Sequence, residues 1–486
     1  MLADHEPTNA LKYFEAISRI PRGSGNEKGI SDYLVAFAEE RGLWVHQDKA
    51  LNVVIKKPGT KGYENAPTVI LQGHMDMVCE KNAETVHDFM KDPIKLVVEG
   101  DFLRAEGTTL GADNGAAVAM SLAILDSADI PHPPLEVLIT TREEVGLLGA
   151  AALDGTLLEG RLLLNMDSGD EGFFCVCCAG GGRVDLSYPL DYCDLPAGHA
   201  TKTLKIRGLK GGHSGIDITK ERANSNRLLG RALRILRSKF AVQFCGINGG
   251  SKENAIPREA EAVVAFAGAK GGELAEEVRR IEKTFRREYA MSDDGLEVYL
   301  EDCAGDVKKV FTPSLCDKVV SALLLLPNGV QAMSLALEGL PETSLNIGVV
   351  STTEDEVVVA SGARSSVGSR KDMLFDQINV IAEATGATVR ISGLYPAWEY
   401  NEKSVLRERA LRVFAETFGR EAAICGTHGG LECGIFCEKI GGVDIVSFGP
   451  DIHEMHTPNE KMSISSFGRT WDFLTKLLVA LAAKAP

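Results

Sequence analysis

Three apolar runs that each end in a cluster of acidic or imidazole residues constrain this chain more than any other feature. TVIL (68–71) leads through Gln72 and Gly73 into His74-Met75-Asp76, and LEVLIT (135–140) leads into Thr141-Arg142-Glu143-Glu144. RLLLNM (161–166) leads into Asp167-Ser168-Gly169. Short apolar runs of this kind read as buried strands. The segment NGAAVAMSLAIL (114–125) between the first two reads as a helix, from its small and unbranched residues. Amphipathic helical patterns cover 10–20 and 27–41. Strand and helix in alternation predict an α/β fold, a mainly parallel mixed sheet covered by helices. In such sheets the carboxyl ends of the strands line the functional crevice. His74, Asp76, Glu143, Glu144 and Asp167 would therefore meet at one mouth, joined by Asp113 at the start of the small-residue helix.

The texture changes near Gly180–Gly182. From about 184 the chain carries strands (TLKIRGL, EAVVAF, EVVVASGAR) and helical stretches at 222–238, 274–289 and 314–326. This pattern predicts an α+β domain. After about 395 the α/β style returns, with a helix at 404–418, a strand VDIVSFG and a closing amphipathic helix at 465–484. The expected organisation is one α/β domain, 1–183 and 396–486, interrupted by an inserted domain at 184–395.

Among the 486 residues, 52 Lys and Arg face 68 Asp and Glu, for a net charge of −16. So acidic a surface argues against nucleic acid or anionic membrane as partner, since both select cationic patches. The most apolar run, 319–326, is broken by Ser321 and is too short to span a bilayer. The first twenty residues lack the basic, apolar and small-residue succession of a secretory signal. With 11 cysteines in no disulfide-framework spacing, the expectation is a cytoplasmic protein with reduced thiols. Cys175, Cys177 and Cys178 form a tight group, but alternate residues of a strand face opposite ways, which disfavours a structural metal there.

Five carboxylates in one crevice would repel one another strongly without cations. One divalent ion leaves most of that charge unbalanced, whereas two come close. An imidazole with several carboxylates suits zinc, manganese or cobalt. No G-x-S-x-G elbow, phosphate-binding Gly-rich loop or HExxH helix competes with this reading. Each residue also has an ordinary explanation: Asp113 could be a helix cap, Glu143-Glu144 a solvated helix start, and His213 a turn residue.

GHMDMV, LGADNGAA, TREEVGLLGA, NMDSGDEG and GPDIHEMHTPNEKM, in this order, resemble the signature of the co-catalytic di-zinc peptidase family that includes carboxypeptidases, dipeptidases and amino-acid acylases. FEAISRIPRGSGNEKGISDYLVAFAEERGL, GLKGGHSGIDI and THGGLECGIF are similar to its aminoacyl-histidine (Xaa-His, or cytosol non-specific) dipeptidases. The resemblance implies a catalytic domain with helices on both sheet faces and an inserted lid. It implies two zinc ions per chain, with cobalt or manganese as substitutes. His74 and Asp167 would complete one ion's shell and Glu144 and His456 the other's, with Asp113 bridging. Both His453 and His456 follow the strand VDIVSFG; the family's His-Ser/Thr-Pro pattern points to His456. Glu143 would be the general base, and Asp76 would hold the His74 ring, as a carboxylate two residues on can do. On an extended backbone Glu143 and Glu144 would point apart, one to metal and one to water.

For the lid, the resemblance implies that His213 stabilises the oxyanion, that Asn254 and Arg364 bind the substrate's carbonyl and carboxylate, and that Gly429, Gly430 and Glu432 line the pocket. Glu432 is the candidate for a free amino terminus. The expected activity is hydrolysis of dipeptides, Xaa-His and β-Ala-His (carnosine-like) among them, by a homodimer. An N-acyl amino acid deacylase or a carboxypeptidase with the same metal core is the nearest alternative. A non-catalytic metal-binding or dimerisation protein is the alternative of another class.

Overall fold

The computed structural model describes residues 2–482, in two compact units. Of the described residues, one unit comprises those up to 177, 400–426 and those from 431 on, and the other 178–399 and 427–430. The junctions fall at 177/178 and 399/400, where 183/184 and 395/396 are expected, and Cys178 forms a β-bridge with Trp398 just inside them. The strand Gly180–Pro189 pairs with Glu356–Ser365 and Thr388–Tyr395 and so belongs wholly to the second unit.

The first unit is built on an eight-stranded mixed sheet. Its centre runs Leu135–Thr140, Val69–His74, Leu162–Asn165, Asp444–Ser447, all parallel. Antiparallel strands such as Val53–Lys57 flank it. Val69–His74 and Leu135–Thr140 are buried at every position, as strands covered on both faces must be. Register aligns Gln72 with Asn165 and His74 with Thr140, so the three ligand-bearing strands end at nearly one level. The small-residue helix, Ala112–Asp126, packs on Val69–His74 and on Thr8–Ile17 and is buried almost all round. The closing helix, Ile464–Ala482, buries Phe467, Trp471, Leu474, Leu478 and Leu481 at helical spacing; the remainder of its expected span, to Lys484, lies outside the described residues.

A small four-stranded sheet also belongs to this unit: Ile452–His453, Lys461–Ser463, Phe102–Ala105 and Leu96–Glu99. Its first two strands pair antiparallel, Ile452 with Met462, and the loop joining them carries His456.

The second unit is a nine-stranded sheet whose paired strands are antiparallel, with the helices Ser225–Phe240, Gly271–Glu288, Pro313–Leu325 and Gly368–Thr385. The α+β expectation holds; the last of these helices has no counterpart in the sequence reading. Leu228, Leu229, Leu233 and Leu236 of the first helix enter one apolar core with Val264, Phe244 and Leu345 of the sheet. No helix among the described residues is long and apolar enough to cross a membrane.

Candidate metal centre

Two overlapping sets of donor atoms form at the carboxyl ends of the parallel strands. His74 Nε2 lies 3.0 Å from Asp113 Oδ1 and 3.4 Å from Asp167 Oδ1. His456 Nε2 lies 3.1 Å from both Asp113 Oδ2 and Glu144 Oε2. The carboxylate of Asp113 thus gives one oxygen to each imidazole. His74–Asp113–Asp167 and Asp113–Glu144–His456 each group closely enough to hold one ion, as does His74–Glu143–Glu144. His453 takes no part: it sits in the small sheet with its ring edge against Phe102.

Asp76 organises the surroundings. Its Oδ1 stands 3.4 Å from His74 Nδ1, and its backbone oxygen is 3.2 Å from the same nitrogen. With Nδ1 engaged there, Nε2 is left facing the carboxylates, the arrangement typical of a ligating imidazole. Asp76 also accepts from Ser24 Oγ at 2.7 Å and from the backbone N–H of Glu143 at 3.1 Å. That second contact corrects one expectation. Glu143 and Glu144 lie past the end of their strand in a turn closed by Gly146 N–H and Leu147 N–H on Glu143 O. Their backbone is thus a turn in place of an extended strand, and a carboxylate oxygen of each lies within 4.8 Å of the other. Asp113 also differs slightly from a helix cap: the cap position is Gly111, and Asp113 precedes the regular helix with extended backbone, φ −81° and ψ 105°.

The electrostatics of the cluster follow from burial and crowding. Burial pushes the Glu143 carboxyl well above its ordinary range, and the charges of Asp167, Glu432 and Glu144 add to it. Burial likewise raises Asp167, against the pull of His74. Burial acts upward on Asp113 too, but hydrogen bonds from both imidazoles outweigh it and hold that carboxyl low. Hydrogen bonds to Asp113 and Glu144 raise His456 to about 10. Glu144 Oε1 is buried with no hydrogen-bond partner. An orphaned carboxylate oxygen beside two imidazoles and two further carboxylates is the donor chemistry of divalent cations, so the residues fit a two-metal centre.

Apart from Glu432, named above for the pocket, the supporting residues carry no signal in the sequence. Asn114 accepts from His74 N–H at 3.3 Å and donates to Met166 O at 2.8 Å, joining two ligand-bearing strands. Glu432 is wholly enclosed, 0% exposed, and its Oε2 accepts from Gln72 Nε2 and Thr140 Oγ1, each at 2.7 Å. Asn165 in turn donates to Gln72. Burial raises the Glu432 carboxyl to about 8. Its contacts here are with the strand ends.

The remaining candidates lie in the second unit. His213 Nδ1 accepts from the N–H groups of Gly215 and Ile216, each at 3.2 Å, so the neutral ring carries its proton on Nε2. Burial, with Arg364 nearby, lowers the pKa of that ring. Arg364 donates from Nη1 to Tyr395 Oη at 3.0 Å and to His428 O at 3.3 Å. The backbone oxygen of Asn254 accepts from Ser214 N–H at 2.8 Å. Gly430 packs beside the Tyr395 ring.

Residues 70–480 match the profile of peptidase family M20/M25/M40. The cytosol non-specific dipeptidase of Escherichia coli (strain K12) is 38% identical over 483 residues, covering 99% of each chain. The crystal structure of aminoacylhistidine dipeptidase from Vibrio alginolyticus superposes with a TM-score of 0.93 at 39% identity, over 100% of this chain and 99% of that one. The aminopeptidase PepT of Bacillus cereus ATCC 10987 shares the fold, with a TM-score of 0.57 at 16% identity over 99% and 100% of the two chains.

Proposed function

This chain belongs to peptidase family M20/M25/M40 and is a metal-dependent dipeptidase, and on that premise we propose that it hydrolyses Xaa-His dipeptides, β-Ala-His included, with Glu143 as general base. The observation that carries the reading is Asp113, whose two oxygens face two different imidazoles inside two donor sets. His74, Asp113 and Asp167 would hold one cation, and Asp113, Glu144 and His456 the other. Zinc is the expected metal, with cobalt and manganese also suited to these ligands. When bound, the pair supplies Lewis acidity toward the scissile carbonyl and acidifies the attacking water.

The chain's own residues supply the rest. Asp76 keeps Nε2 of His74 turned to the centre. Glu143, in the same turn as Glu144 yet with its own side chain, takes the water's proton and passes it to the leaving amine. The single Nδ1 lone pair of His213 is shared by two backbone N–H groups, so its Nε2–H is the donor available to an oxyanion. Asn254 would bind the substrate's carbonyl. Arg364 uses Nη1 for Tyr395 and His428, which leaves the edge formed by Nε and Nη2 to clasp a carboxylate with two parallel donors. Gly430, with no side chain, lets the Tyr395 ring pack against it. A homodimer in the cytoplasm belongs to the same reading, and light scattering of the purified protein should return the mass of two chains.

The test is a substrate panel on metal-loaded enzyme: β-Ala-His, Ala-His, dipeptides without histidine, tripeptides and N-acetyl amino acids. Xaa-His dipeptides are expected to give the highest kcat/KM. Faster turnover of tripeptides or N-acetyl amino acids would sink the substrate assignment.

A further inference from the structure

The loop that presents His456 and the loop that presents Asp113 are fastened to each other by a buried carboxylate to which the mechanism gives no role. Glu460, four residues beyond His456, is 2% exposed. Its Oε2 accepts from the N–H groups of Leu110 and Gly111 at 2.9 and 3.0 Å, and its Oε1 from those of Ala112 and Asp113 at 2.8 and 3.4 Å. Four successive backbone donors thus converge on one carboxylate from the other loop, a strong arrangement for an anion.

A buried cation answers it on the opposite side. Arg22, also 2% exposed, donates from Nη2 to Gly111 O at 2.5 Å, and from Nη1 to Met75 O at 3.0 Å and Asp76 O at 3.4 Å. Burial lowers the pKa of its guanidinium, against the opposing charges of Glu460 and Asp76. Gly111 stands between the two with φ +71°, and a Cβ there would meet Arg22 Nη2 at 2.6 Å. Only glycine fits both the backbone angle and the space. One buried ion of each sign therefore grips three segments at once: His74–Asp76, Leu110–Asp113 and His456–Glu460.

Burying two ions is costly, and an apolar pair of similar volume commonly stabilises a fold as well or better. Their hydrogen bonds fall on the backbone of the segments that carry His74 and Asp113, and Glu460 itself belongs to the segment that carries His456. We propose that Arg22 and Glu460 are positioning residues, which fix the Asp113 backbone so that its carboxylate spans two cations. This rests on the two-cation reading above.

The test compares E460Q with the wild-type chain. Glutamine keeps the size, but its amide NH2 confronts two N–H donors where an oxygen stood, so half the cradle is lost. Metal-free protein is titrated with cobalt(II), followed by calorimetry and by the visible absorption of the bound ion. Wild type is expected to take up two equivalents. In E460Q the second should bind at least tenfold more weakly, with a changed absorption band. Its kcat on Ala-His should fall at least tenfold while KM stays within threefold. R22K, which keeps the charge but lacks the fork that serves three carbonyls, should move the same readouts, and it stands in if E460Q does not fold. Two equivalents bound within twofold of wild type, with an unaltered band, in either variant would overturn the proposal. Should wild type itself take only one equivalent, the two-cation reading fails, and amide hydrogen exchange decides the brace. Faster exchange by tenfold or more at Leu110–Asp113 in E460Q supports it, and wild-type exchange there overturns it.

Discussion

The two halves of the centre share Asp113 but are built differently. His74 is 1% exposed, at the end of a fully buried parallel strand, with Asp167 following the neighbouring strand. His456 is 51% exposed, on a loop where Glu454 and His456 both take positive φ. Beneath the first half, Glu432, Gln72, Thr140 and Asn165 form a buried hydrogen-bonded layer. The second half leans on the Glu460 cradle. One ion would therefore be held by the sheet and the other by a hairpin loop. Strand ends are fixed by many ladder hydrogen bonds, whereas a loop can open locally at little cost.

The largest expected effect tests what both halves serve. Glu143→Ala should retain two metal equivalents and lower kcat by roughly a thousandfold, the scale of a lost general base; steady-state kinetics beside metal analysis checks it, and near-normal turnover would remove Glu143 from its role. The contrast itself is tested by a pair of variants. His74→Ala, which strips the partner from buried carboxylates, should cost about 3 kcal/mol of metal-free stability in urea unfolding. His456→Ala, at a half-exposed position, should cost about 1 kcal/mol or less and leave one cation bound. Equal losses would break the distinction, as would simultaneous release of both ions under a chelator.

The smallest effect is a change of slope with pH. Burial raises Glu432 to about 8, above its unfolded value near 4.3. Between these values the folded metal-free chain holds a proton that the unfolded chain has released, so stability falls as pH rises through that window. Glu432→Gln removes the group and should flatten the slope between pH 5 and 8 in urea titrations. An unchanged slope would mean that this carboxyl does not titrate as its burial implies.

Much of this was legible before any coordinates. TVIL, LEVLIT and RLLLNM read as strands because a sheet covered on both faces needs uninterrupted apolar runs, and the residues just past their ends lie at its carboxyl edge by topology alone. The sign and crowding of the charge then called for two cations. What stayed hidden were polar residues whose meaning depends on burial. Glu460, Arg22 and Gln72 look like surface residues in the chain, because Glu, Arg and Gln usually are. The helix Gly368–Thr385 was missed as well; its apolar positions face one side only weakly.

The amino-acid order thus determined which side chains stand at the mouth of the sheet, since strand periodicity and parallel topology are local properties that add up along the chain. The pairing of those side chains was decided by folding alone: Asp113 between His74 and His456, Glu460 against four amides from a segment some 350 positions earlier, Glu143 and Glu144 carried together on a tight bend. Contacts between groups so far apart depend on how loops close over one another, and that closure is set by packing and burial, which no single segment encodes.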